Sequence, residues 1–174
     1  PNLHHVLDML HMKDHVVFSK DRIGFTEMNS LYNISDTILN RSCNEGFGLP
    51  TLEAMMAGKP IIAIKTGGLT RQVQDAVTGE QYGIALDPDC RTLVGNQMVP
   101  YIYEDLVSHE TVRDALMKMY EMGPEERARI GTRAREHALK DYDIDQLVSE
   151  WDRTLTDVTM NWKNNRRRWE AFEI

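Results

Sequence analysis

The run Ile61-Ile62-Ala63-Ile64 constrains the fold most, because it is apolar at every position and lies between Pro60 and the pair Gly67-Gly68. Side chains of a strand alternate between faces, so a run without a polar side needs apolar cover above and below. The neighbouring segments can supply it. Val16 to Phe18, Thr37-Ile38-Leu39-Asn40 and Gly83-Ile84-Ala85-Leu86 read as further short strands. Between them, Glu27 to Ser35 sets Met28, Leu31, Tyr32 and Ile34 on a helical stripe. Pro50 suits the first position of a helix, since its ring fixes a helical φ and its missing N–H would have been unpaired there. That helix runs through Leu52, Met55 and Met56, with Gly58 as a left-handed stop and Pro60 just beyond. A shorter helix is predicted near Leu69 to Ala76, before a turn at Thr78-Gly79. Strand and helix alternating over short connections indicate a parallel sheet covered by helices. From Glu104 onward no strand pattern remains, and helices are predicted near Glu104 to Glu121, Pro124 to Lys140 and Ile144 to about Trp169.

Composition narrows the classes. A chain of 174 residues with 41% hydrophobic and 27% charged residues has enough apolar material for one sizeable core. Its net charge of −7 argues against nucleic acid as a partner, because that binding runs on excess Lys and Arg. The apolar stretches are too short to span a bilayer. Cys43 and Cys90 match no metal-ligand spacing, and a reducing cytosol is the expected compartment.

The last predicted helix carries Val148, Trp151, Leu155, Val158, Trp162 and Trp169 at alternating spacings of three and four, interrupted by Asn165. Asp143 with Gln146 suggests a capping box at its start. Such a seam calls for burial. Packing on the chain's own sheet is the first expectation, and a second domain or a homodimer through this helix is the other. Lys163, Arg166, Arg167 and Arg168 read as a solvated basic face.

The stretch from Ser42 to Pro60 is the chemically informative one. A buried strand ends, a loop with Gly46 and Gly48 turns, and a helix begins. Ligands of open parallel sheets sit outside the carboxyl ends of the strands, where this loop falls. The amides of Phe47, Gly48 and Leu49 lead into a helix N-terminus, a natural seat for phosphate. Glu45 lies in the loop and Glu53 one turn into the helix, eight residues apart, on either side of that seat. Carboxylates repel phosphate but accept charge-assisted hydrogen bonds from hydroxyls. A diphosphate with hydroxyl-rich groups at both ends, as in a sugar nucleotide, fits this pattern. A helix terminus contributes roughly 0.3–1 kcal/mol, against about 4–8 kcal/mol for millimolar to micromolar binding. Cations are therefore needed, and Lys20, Arg22, Arg41, Lys65 and Arg71 are the candidates.

Glu45 to Gly58 resembles the E-x7-E region of the retaining GT-B glycosyltransferases of family 4, written E-G-F-G-L-P-x-L-E-A-M-A-x-G-x-P. Val16-Val17-Phe18, Leu31-Tyr32 with Ser35-Asp36, Pro60-Ile61-Ile62-Ala63 with Gly67-Gly68, and Gly83 to Asp89 extend the likeness over about residues 16 to 150. The resemblance implies an α/β fold: a Rossmann-like parallel sheet with flanking helices, lacking the first β-α units of the GT-B C-terminal domain, followed by a helical C-terminal region. It implies a nucleotide-sugar-binding domain over residues 1–103, with the helices of 104–174 packed on the same domain. It further implies a UDP- or GDP-linked sugar as donor substrate, with no cofactor and no metal. Glu53 would bond the ribose hydroxyls and Glu45, the expected catalytic residue, would lie beside the donor sugar. Gly46, Phe47, Gly48 and Leu49 would bind the donor, and Lys20, Arg22, Ile23 and Lys65 would serve its base or phosphates. Where the family has an acidic residue after the Gly-Gly pair, Leu69-Thr70-Arg71-Gln72 stands instead. The basic diphosphate pair and the N-terminal acceptor domain, whose acceptor in this family can be membrane-linked, have no counterpart before Pro1. The expectation is a piece of a longer enzyme that cannot transfer sugar alone. A non-catalytic assembly module built on the same fold is the alternative.

Other constellations carry less. Asp87-Pro88-Asp89 and Asp141-Tyr142-Asp143-Ile144-Asp145 contain D-x-D, read here as a strand exit and a helix cap. His4, Asp8, His11 and His15 read as polar surface, and Cys43 as a small packing residue.

Overall fold

The computed structural model describes residues 2–165; Arg166, Arg167, Arg168 and Trp169 lie outside the described residues. The chain divides into two compact units, residues 1–34 and 35–174. The first contains α1 (Leu3–Met9), a 3₁₀ turn (Lys13–His15) and α2 (Phe25–Ile34). Asn2 caps α1 by accepting the His4 and His5 amides at 3.1 and 3.4 Å. The strand predicted at Val16 to Phe18 does not form. The backbone leaves the 3₁₀ turn extended at Val16, yet Val17 is 96% exposed and no described segment pairs with it. A strand exists only through its ladder, so apolar, extended backbone without a partner stays loop.

The second unit holds β1 (Ile38–Asn40), α3 (Leu49–Met56), β2 (Ile61–Ile64), α4 (Leu69–Val73) and β3 (Gly83–Leu86). These give a three-stranded parallel sheet in the order β1-β2-β3, with Ile38 opposite Ile61 and Ile64 opposite Leu86. All four residues of β2 are fully buried. Ile62 and Ile64 join Ile84, Leu86, Val107, Ala115 and Met119 in one apolar core. Ile61 and Ala63 point the opposite way, and α3, α4 and α6 contact the sheet. Gly58 ends α3 with φ +71°, as the sequence predicts. Helix α4 stops at Val73, short of Ala76, because Gln74 turns extended and bridges Gln81.

Beyond β3 the structure departs from the prediction in two places. β4 (Cys90–Val94) and β5 (Ile102–Leu106) form an antiparallel hairpin, whereas the last predicted strand was Gly83 to Leu86 and a helix was expected from Glu104. Consequently α5 spans His109–Glu121, with Ser108 accepting the Thr111 amide at 3.1 Å as its cap. α6 (Gly123–Asp141) and α7 (Ile144–Asn165) follow. Asp143 caps α7 through the Gln146 amide at 2.8 Å, but the Gln146 side chain turns to Glu150, leaving the capping box half made. The seam of α7 is not buried on the sheet. Val148, Trp151, Leu155, Val158 and Trp162 remain 52–59% exposed. The periodicity fixes the helix and its apolar face; nothing in it says what covers that face. No described helix is long and apolar enough to cross a membrane.

Candidate functional site

The parallel strands end together, and three connections share that edge: residues 41–48 after β1, 65–68 after β2 and 87–89 after β3. The first of these is held from several sides. Asn40 accepts the Ser42 amide at 2.9 Å and donates to the buried Thr51 hydroxyl at 3.0 Å, tying the end of β1 to α3. The Cys43 carbonyl accepts the Asp105 amide at 2.7 Å and the Thr66 hydroxyl at 3.3 Å. Further on, Glu45 accepts the Gly68 amide through its carbonyl at 3.2 Å. Gly67 and Gly68 run so close beneath Glu45-Gly46-Phe47 that a Cβ on either would collide with loop backbone. This explains the glycine pair on packing grounds.

Gln72 was not foreseen. It is fully buried on α4 and donates from Nε2 to the Phe47 carbonyl at 2.7 Å. Among the described residues its Oε1 is buried without a partner. Gly48, at φ +92°, takes the left-handed turn into α3, and a side chain there would strike Leu69. Its carbonyl then receives the Thr51 and Leu52 amides, both at 3.1 Å. Among the described residues, the amides of Phe47, Gly48 and Leu49 donate to no protein group. Three donors at a helix start, on a loop immobilised from below, make a ready anion seat. The Phe47 ring is about half exposed and meets Tyr142 edge-on at 5.9 Å between centroids.

The predicted carboxylates lie on this loop and helix: Glu45 half-buried in the loop, Glu53 exposed on α3. The predicted cations are more dispersed. Lys65 follows β2 directly and pairs with Asp87 at the exit of β3. Arg41 donates to the Val107 carbonyl at 3.1 Å, which spends it on the fold. Arg71 is exposed on α4. Lys20 and Arg22 are exposed and Ile23 half-buried in a loop of the other unit. The acids of the first D-x-D have structural tasks: Asp87 pairs with Lys65, while Asp89 accepts the Ser108 amide at 2.6 Å and the Thr111 hydroxyl at 3.2 Å.

Asp105 anchors the hairpin to the loop. Its carboxylate receives Arg91 at 2.6 and 3.3 Å, directly across the ladder, with the Thr66 hydroxyl alongside. The Arg91 hydrogen bond holds its carboxyl below the usual range, outweighing the opposing effect of burial. A depressed carboxyl stabilises the fold above its unfolded pKa and withdraws that stability as pH falls through the folded value. Asp105→Asn is therefore expected to lower Tm by several degrees at pH 7 and to flatten the loss of Tm below about pH 4. Thermal melts from pH 2 to 8 check this; parallel curves would assign the acid sensitivity to other groups.

Known proteins resemble this chain in sequence and in fold. The family model described as glycosyl transferases group 1 matches residues 2–85. A trehalose synthase of Pyrococcus horikoshii is 47% identical over 53 residues, which are 30% of this chain and 13% of that protein. N-acetyl-alpha-D-glucosaminyl L-malate synthase of Bacillus anthracis is 26% identical over 157 residues, 90% of this chain and 34% of the relative. The crystal structure of Anabaena HepE in complex with UDP-glucose superposes with a TM-score of 0.64 at 22% identity, over 89% of this chain and 36% of HepE. The fold is that of a GT-B glycosyltransferase. The chain spans about a third, or less, of the length of the relatives it matches. The model match takes in β1, α3, β2 and most of β3, with the loop at Glu45 to Leu49 inside it.

Proposed function

We propose that this chain is the nucleotide-sugar-binding portion of a retaining, metal-independent glycosyltransferase that moves a sugar from a UDP- or GDP-linked donor to an acceptor. One observation carries the reading: the unengaged amides of Phe47, Gly48 and Leu49 on a loop fixed by Gln72, Thr66, Asp105 and the Gly67-Gly68 pair. The diphosphate rests against these amides, and Lys65 supplies positive charge from the neighbouring strand end. Glu53 accepts hydrogen bonds from the ribose and Glu45 lies beside the sugar, where developing positive charge is stabilised by a carboxylate. A fixed loop places these groups before the donor arrives, so little ordering entropy is spent on binding. The UDP-glucose complex of HepE supports this class of donor. Acceptor binding and turnover belong to an N-terminal domain packed against this one. Calorimetric titration with UDP-glucose and GDP-mannose tests the proposal. Saturable binding of one of them is expected, and heats no larger than dilution for both would refute it.

The exposed face of α7 favours a second reading, in which the fold serves as an assembly module that pairs through this helix. Sedimentation across a concentration series separates the two. Dimerisation together with silence toward both nucleotides supports assembly, and a nucleotide-binding monomer excludes it.

A further inference from the structure

Asp75, His137 and Asp141 bring their ligand atoms within 4.8 Å of one another, outside the loop that carries the donor proposal. His137 and Asp141 stand one turn apart on α6, with Nδ1 3.0 Å from the Asp141 carboxylate. Asp75 comes from the turn after α4 and is oriented by the Val77 and Thr78 amides, at 2.8 and 2.6 Å. The histidine ring is held rigidly. It is 7% exposed, stacks on Tyr82 at 4.2 Å and meets the edge of Tyr142 at 5.7 Å. Its Nε2 lies 3.2 Å from the Arg71 carbonyl.

A carbonyl only accepts, so this contact calls for the hydrogen on Nε2 and leaves Nδ1 as the ring atom that faces the two carboxylates. Lone pairs facing each other at this distance require a positive species between them. One proton on Nδ1 reaches one carboxylate only, and the other is met by backbone amides alone. A divalent ion balances both and leaves the imidazole neutral. Histidines that bind metal characteristically donate their other ring N–H to a carbonyl or carboxylate, as His137 does to Arg71. One imidazole nitrogen with two carboxylates suits zinc, while magnesium favours an all-oxygen shell rich in water. We propose that Asp75, His137 and Asp141 form a zinc site that fastens the turn after α4 to the end of α6. The site does not rest on the donor reading. It touches that region through Tyr142, which contacts both His137 and Phe47.

The test is calorimetric titration of the metal-stripped chain with zinc chloride, with magnesium chloride as control. One saturable zinc site is expected, and magnesium should give none. The double variant Asp75→Asn, Asp141→Asn keeps the side-chain shapes and the Asp75 turn acceptor. It should weaken zinc binding by at least roughly a hundredfold, the upper cost of losing a partner one layer further from a metal. His4→Gln with His11→Gln should leave binding unchanged. If the double variant fails to fold in EDTA, ¹⁵N spectra of the unmodified chain decide: His137 Nδ1 must take up a metal-bound shift as zinc saturates. Absence of saturable binding up to about 1 mM zinc, equal affinity in the double variant, or an Nδ1 that stays protonated in saturating zinc would each overturn the proposal.

Discussion

Gly67→Ala is expected to destabilise the chain by roughly 3 kcal/mol or more and to weaken donor binding beyond what lost stability explains. The residue sits at φ +48°, a conformation that costs an alanine about 1 kcal/mol by itself. Far worse, the new methyl would overlap the Glu45 carbonyl, and that oxygen belongs to backbone that cannot rotate away. Either the turn after β2 or the loop at Glu45 to Phe47 must shift. A shift of the loop misaligns the amides of Phe47 and Gly48, so binding should fall even in molecules that remain folded. Gly46→Ala is the internal control. It adds the same methyl two residues before Gly48, into open space with nothing within 4 Å, and should change Tm little. Denaturant melts of both variants, followed by nucleotide titration below their midpoints, measure the two effects separately. Equal stability of the two variants would show that the close approach at Gly67 does not constrain the loop.

Glu53→Gln should weaken binding of the nucleotide sugar by roughly 10- to 150-fold, the equivalent of one charge-assisted hydrogen bond at 1.5–3 kcal/mol. The substitution keeps helix propensity and side-chain length, so only the anionic acceptor is removed. Glu53 is exposed on α3, and its loss should leave Tm within about 2 °C. Binding of inorganic pyrophosphate, which has no hydroxyls, should be unaffected or slightly improved as a negative charge disappears. A parallel loss for pyrophosphate and nucleotide sugar would assign Glu53 to the helix terminus rather than to the ribose.

The parts of the fold visible in the sequence are those that local physics fixes alone. Ile61 to Ile64 announces a strand covered on both faces, and Pro50 with Gly58 brackets α3. The hairpin was invisible because its strands carry no apolar stripe. Leu93 and Tyr103 oppose each other across the ladder yet are 54% and 62% exposed, and the buried side chain nearby is an acid, Asp105, paired with the exposed Arg91. The mirror case is Val16 to Phe18, apolar enough for a strand but without a ladder partner.

The candidate site divides similarly. Glu45 to Glu53 could be read directly, since the loop and the helix start are contiguous. The residues that immobilise the loop could not. Gln72 and Thr66 reach it from 25 and 23 positions away in the chain, and a glutamine on a five-residue helix gives no sequence signal of burial. The cations show a related limit: charge is visible in sequence, but its partner is not. Arg41 is committed to the Val107 carbonyl, and Lys65 already has Asp87 beside it.

The most direct measurement is a ¹H–¹⁵N spectrum of the labelled chain during addition of UDP-glucose or the GDP-linked donor. The account predicts that the amides of Phe47, Gly48 and Leu49 move first and furthest, downfield as they acquire phosphate acceptors, with saturation matching the calorimetric curve. Saturable binding that leaves these three amides in place would contradict it, whatever its affinity.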